Sequence, residues 1–170
     1  MRLNVAATRQ LAELCRELAC IMIYISTDYV FDGSAPPYGA DSPAKPLNKY
    51  GETKLAGEEV VLGAGHTVLR IPVLYGGVER PGESAVTALL EAVRSGREVG
   101  FALVVSSNIA LLRQVGVSSW EVRCPSHTRD IARILLDLLL RCPSPESTIY
   151  QWCGMEKISK AQIWMAKVLQ

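Results

Sequence analysis

Tyr50-Gly-Glu-Thr-Lys54 places a phenol and an ammonium four residues apart. On a helix that spacing puts both on one face, one turn apart. A lysine ammonium beside a phenol favours the phenolate. Ser26-Thr27-Asp28 closes a run that reads as a strand. The Thr27 hydroxyl there can hydrogen-bond the carbonyl oxygen that the tyrosine protonates. Together they make a proton donor, its tuner and a polarising group. Tyr-x-x-x-Lys taken alone is commonly a surface pair on a helix, so its context carries the weight. The hydroxyl lies at the end of a buried strand, where open α/β sheets bind ligands. A long Pro/Gly loop then leads into the helix with the pair.

The elements that must position these groups follow from periodicity. Leu3, Ala7, Leu11, Leu14 and Leu18 form one apolar stripe, so Leu3 to Leu18 reads as a helix. Cys20 to Ile25 is a short apolar, β-branched run, which predicts a strand buried on both faces of a parallel sheet. Residues 32–46 hold Gly33, Pro36, Pro37, Gly39, Pro43 and Pro46 and predict a loop. Leu47 to Leu62 reads as a helix stopped near Gly63-Ala-Gly65, and Thr67 to Ile71 as a second buried strand. Further helices are predicted over Ser84 to Arg94 and Arg129 to Arg141, the latter with Ile131, Leu135, Leu138 and Leu139 facing a core. A short strand over Thr148 to Cys153 and a last helix capped by Ser159 complete the pattern. Helices alternating with buried strands predict an α/β fold.

The chain has 170 residues, 49% of them hydrophobic, which excludes a disordered chain and leaves room for one ordinary domain. Its 18 basic and 17 acidic residues give +1, no electrostatic reason to expect a nucleic-acid or membrane partner. The apolar stretch Val99 to Leu112 is broken by Ser106, Ser107 and Asn108, short of a bilayer crossing. The charged, helical N-terminus does not read as a signal peptide. Five scattered cysteines without a C-x-x-C fit reduced thiols in a cytoplasmic protein, and no metal-ligand spacing occurs. His66 is expected at the surface, His127 and Asp130 at a helix entry, and Trp120 and Trp152 in or near the core. Met22, Met155 and Met165 are expected to pack.

Three stretches together carry more information than the pair. Tyr24-Ile-Ser-Thr-Asp-Tyr-Val-Phe-Asp-Gly33, then Pro46-Leu-Asn-Lys-Tyr-Gly-Glu-Thr-Lys-Leu-Ala-Gly-Glu58, then Leu69-Arg-Ile-Pro-Val-Leu-Tyr-Gly76 resemble the extended short-chain dehydrogenase/reductases. Within that family they are similar to the branch holding dTDP-4-dehydrorhamnose reductase and the regulatory β subunits of methionine adenosyltransferase. The resemblance implies a Rossmann-like parallel sheet and an NADP-type cleft. It implies that Thr27, Tyr50 and Lys54 occupy the catalytic triad positions, with Tyr50 and Lys54 also on the nicotinamide ribose. Leu74 matches a position lining the nicotinamide end, Asp28 and Tyr29 match substrate-side positions, and Asn4 matches one that ties strand ends. Val73 stands where the reductases commonly carry an aromatic residue. Arg70-Ile-Pro, Glu83 to Thr87, Arg123 to Asp130 and Tyr150-Gln-Trp-Cys-Gly154 are closer to the regulatory subunits. That branch implies a catalytic methionine adenosyltransferase subunit as partner.

The pattern is also broken. No G-x-G-x-x-G or G-x-x-G-x-x-G occurs, so the main-chain donors that receive a pyrophosphate are missing. The expectation is one partial Rossmann-like domain over 1–170, truncated at both ends and lacking the glycine-rich first βαβ unit. Residues 97–122 form an atypical segment in it, and 123–170 begin the C-terminal region. NADP binding is expected to be impaired. The resemblance favours a non-catalytic regulatory subunit of methionine adenosyltransferase; the alternatives are an NADP-dependent reductase of a nucleotide-linked 4-keto sugar and a non-functional truncated product.

Overall fold

The computed structural model describes residues 2–80, 83, 121–141, 146–159 and 162. A π-helical turn, Arg2–Ala7, runs into helix α1, Thr8–Glu17. The helix closes on Cys20 N–H donating to the Cys15 carbonyl at 2.8 Å, with Ala19 at φ +52° where glycine is usual. Its buried residue is Ala12, on a face with Thr8 and Cys15, whereas Leu11, Leu14 and Leu18 are half-exposed or more. The leucine stripe exists, but the small-residue face is the inward one, and α1 packs against α2 (Lys49–Gly63).

Strand β1 covers Ile23–Thr27 and β2 covers Thr67–Ile71. They pair in parallel, Ile23 opposite Thr67 through Thr27 opposite Ile71. The expected first strand, Cys20 to Ile25, is therefore displaced toward its C-terminus. Apolarity located the run, but the ladder continues through Ser26 and Thr27, whose side chains are polar and buried. β2 matches its expected bounds and is buried at all five positions. Two later strands are β3 (Leu74–Tyr75) and β4 (Val122–Arg123). Then come β5 (Ser126–His127), helix α3 (Thr128–Arg141), β6 (Ile149–Gln151) and β7 (Ile158–Ser159). β6 joins the other side of β2 in parallel, giving the order β1-β2-β6. Tyr24, Val61 and Val68 form a core cluster, flanked by Met22, Leu62 and Ile149.

The chain divides into two compact units, Met1–Pro72 with Ile131–Cys153, and Val73–Asp130 with Gly154–Gln170. The first holds the three-stranded parallel sheet and is α/β as expected. In the second, β3 pairs β5 in parallel and β4 pairs β7 antiparallel. Gly76 packs on the Thr128 side chain and Gly154 on the Pro125 carbonyl, and any side chain at either would collide. Ser159 and Gln162 exchange bonds, Gln162 N–H to Ser159 Oγ and Ser159 N–H to Gln162 Oε1, a capping box at the expected place. The predicted helix Ser84 to Arg94, most of 97–122, Trp120 and Met165 lie outside the described residues.

Several expectations need correction. His66 is 1% exposed, not at the surface, because its Nε2 bonds the Ala12 carbonyl at 2.9 Å and joins α1 to the start of β2. Met155 is fully exposed, and Trp152 is 43% exposed rather than in the core. Leu139 of α3 is likewise outward, whereas Ile131 is buried. His127 does assist the helix entry, its Nδ1 accepting from Arg129 N–H at 3.1 Å. No helix of the described residues is long and apolar enough to cross a membrane.

Candidate functional site

The first turns of α2 face the C-terminal end of β1. Asn48 sits in an extended conformation, and its Oδ1 accepts from Gly51 N–H at 2.8 Å, which caps the helix. Gly51 is needed because a Cβ there would strike the Tyr29 carbonyl and lie 2.9 Å from Pro46 Cβ. This close approach sets the Tyr50 ring edge-on to Tyr29, with centroids 5.9 Å apart. Tyr50 itself is 52% exposed, so its phenol is open to a ligand.

One turn on, Lys54 reaches back to the strand. Its Nζ donates to the Ile25 carbonyl at 2.6 Å and lies 3.9 Å above the centroid of the Tyr24 ring. Burial pushes the Lys54 ammonium below the ordinary lysine range, and the Glu58 carboxylate opposes that shift. The Tyr24 phenol is pushed up to about 12, chiefly by burial, with Glu58 and Tyr50 adding to it. Thr27, buried, ends β1 two residues after Ile25. Its Oγ1 accepts from Tyr29 N–H at 3.2 Å and donates to Asp28 Oδ1 at 3.3 Å. Thr27, Asp28 and Tyr29 are thus one local turn, and Tyr50 and Lys54 contact the residues on either side of Thr27. Leu74 lies on β3 in the second unit.

Sequence reasoning missed the group beneath this site. Glu58, 1% exposed, receives Arg70 Nε at 3.1 and 3.2 Å and Arg70 Nη2 at 2.7 Å. The Ser26 hydroxyl donates to the same carboxylate. A signal was present. Arginine at the fourth position of a five-residue buried strand requires an anion inside the fold, and Glu58 is the acidic residue that closes the helix motif, four positions after Lys54. Arg70 Nη1 also donates to the Ala40 carbonyl at 3.1 Å, and its guanidinium lies 5.1 Å from the Phe31 ring. The 32–46 loop is further tied by Phe31 stacked on Tyr38, with centroids 4.4 Å apart, and by Gln151 Nε2 donating to the Tyr38 carbonyl at 2.6 Å. Asp32 holds the loop's first turn, and Ser34 N–H, Tyr38 and the Ser34 hydroxyl lower its carboxyl to about 2. Among the described residues no three His, Cys, Asp or Glu side chains are grouped to hold a metal ion.

Comparison with known proteins bears on both fold and family. Methionine adenosyltransferase 2 subunit beta of Xenopus tropicalis is 41% identical over 169 residues, covering 96% of this chain and 46% of that protein. A dTDP-4-keto-6-deoxy-D-glucose reductase of Streptomyces niveus is 43% identical over 77 residues, 43% of this chain and 27% of the reductase. The chain spans about half the length of the curated relatives it matches along most of its own length. Among solved structures, dTDP-4-dehydrorhamnose reductase of Bacillus anthracis in complex with NADP superposes with a TM-score of 0.71. At 22% identity, over 97% of this chain and 53% of the reductase, that likeness shows a shared Rossmann-like fold. The RmlD substrate binding domain matches residues 1–168. With nearly every residue inside that match, the chain belongs to the RmlD substrate binding domain family, among the extended short-chain dehydrogenase/reductases.

Proposed function

We propose that the chain is part of a regulatory β-type subunit that binds a catalytic methionine adenosyltransferase subunit in the cytoplasm and performs no turnover of its own. The observation that carries this reading is the 41% identity with such a subunit over 169 residues. Free thiols at Cys15, Cys20 and Cys153 suit a reducing compartment.

Tyr50 and Lys54 would supply donors that suit the nicotinamide ribose of NADP. Tyr50 offers an exposed phenol, and Lys54, with one N–H on Ile25, retains two more for a diol. Leu74 is assigned to the nicotinamide end by resemblance alone. Among the described residues the pyrophosphate has no comparable seat. Among the described glycines only Gly33 and Gly65 have positive φ, one in the proline-rich loop and one after α2. The 170 residues on their own therefore bind NADP weakly or not at all, because a few ribose contacts must offset the full entropic cost of association.

A second reading, reduction of a nucleotide-linked 4-keto sugar, is favoured by the Tyr50–Lys54 spacing beside Thr27. The cofactor would supply the hydride. Tyr50 would pass its proton to the carbonyl oxygen, Lys54 would stabilise the phenolate left behind, and Thr27 would hold the oxygen. Asp28 and Tyr29 would face the sugar. For Thr27 to act so, its O–H must turn from Asp28 toward the substrate.

Tyr50→Phe separates the two. Under the first reading, the chain and its variant co-elute equally with purified catalytic methionine adenosyltransferase, and neither oxidises NADPH with a 4-keto sugar nucleotide. Turnover by the parent chain that Tyr50→Phe abolishes would establish the reductase instead. Failure of the parent chain to co-elute would remove the first reading.

A further inference from the structure

The Glu58–Arg70 pair stands at the meeting of three parts of the first unit. Glu58 is on α2, one turn beyond Lys54, and shares that helix face with Tyr50 and Lys54 at intervals of four. Arg70 is on β2, and Ser26, the third member, is on β1 beside Thr27. From the same guanidinium, Nη1 leaves the pair to hold the Ala40 carbonyl in the 32–46 loop. Arg70 is 4% exposed and Glu58 1%, so neither charge is relieved by solvent.

We infer that Ser26, Glu58 and Arg70 form one buried positioning clip, which fixes the 32–46 loop through Ala40 and sets the electrostatic environment of the Lys54 ammonium. Two features distinguish it from packing alone. Its fork is bidentate, so Arg70 cannot release Ala40 without tilting against Glu58. Its carboxylate also lies close enough to Lys54 to oppose the burial that disfavours the ammonium. Lys54 Nζ also lies over the ring of Tyr24 on β1, whose phenol interacts in turn with Tyr50 on α2.

The clip deepens the reading of Tyr50 and Lys54 as a ligand-facing pair, but its test needs no ligand. The variant pair is Glu58→Gln, and Glu58→Met with Arg70→Met. The double substitution strands no charge, so it keeps the loop readout free of an unpaired buried ion. Isotope-edited NMR of the Lys54 ε-carbon reads the ammonium titration, and amide exchange reads the loop at Ser42, whose N–H donates to the Gly39 carbonyl. In Glu58→Gln, which removes the carboxylate and leaves Arg70 in place, Lys54 is expected to titrate at lower pH than in the parent. The Ser42 amide is expected to exchange about tenfold faster in the double variant. A structural role alone would loosen the helix and move Lys54 upward, toward the ordinary lysine value. An unchanged or raised Lys54 titration, or an unchanged Ser42 amide, would overturn the inference. If Tyr50 and Lys54 serve no cofactor, both readouts still stand, so the two ideas fail separately.

Discussion

Strand β2 buries all five of its residues, a threonine and an arginine included, while α1 buries one alanine and turns Leu11, Leu14 and the capping Leu18 outward. Hydropathy would order these the other way. The difference lies in the partners available. Arg70 meets a carboxylate with bidentate geometry, a carbonyl and an aromatic ring, so its desolvation is offset group by group. The leucines of α1 meet no comparable apolar surface among the described residues, whereas the small face through Ala12 lets the helix come close enough for the His66 bond. Burial here follows complementarity, not apolarity.

The comparison breaks most sharply at Arg70. Arg70→Leu removes the guanidinium and leaves Glu58 buried and without its cation. Urea denaturation is expected to show a loss of about 3–5 kcal/mol. A loss in the range of an exposed pair such as Lys49–Glu52, about 0.2–1 kcal/mol, would mean the network is dispensable.

Tyr24 sharpens it through pH. Burial raises this phenol from 10.0 to about 12, so the fold favours the protonated form. The stability this contributes is complete below about pH 10 and is lost as pH rises through about 12. Alkaline unfolding of the parent should therefore be steeper than that of Tyr24→Phe over that window. Parallel curves for the two would count against a phenol held protonated by the fold.

The two faces of α1 supply the smallest effects. Ala12→Leu overpacks the inward face and should cost about 1–3 kcal/mol. Leu14→Gln, on the outward face, should change the stability of this chain by less than about 0.5 kcal/mol. Equal effects at the two positions, read by the same urea titration, would erase the distinction between the faces.

Much of the first unit was legible in the residues. β2 matches its expected bounds, and α2 lies within two residues of its expected span, since a capping asparagine and a glycine stop bracket it. The Thr27 turn after β1 and the tether of Lys54 to the Ile25 carbonyl lie at the end of β1, where the sequence put these residues. What escaped was every feature that depends on a distant partner. Ser26 looked like the residue after a strand because its hydroxyl partner is 32 positions away. His66 looked like a surface residue because the carbonyl that draws it inward is 54 positions away. The outward leucines escaped for the same reason, since periodicity reveals that a stripe exists and not which face meets a neighbour.

The central strand acquires its second neighbour late. β1 and β2 are complete once the chain has reached Ile71, but β6 begins at Ile149, after the first segment of the second unit, Val73–Asp130, and the rest of α3. On a ribosome, β2 therefore emerges with its far edge open and remains so while nearly eighty more residues are made. The sheet on which α2 packs is assembled in two instalments, and the second must find an edge that has been waiting unzipped.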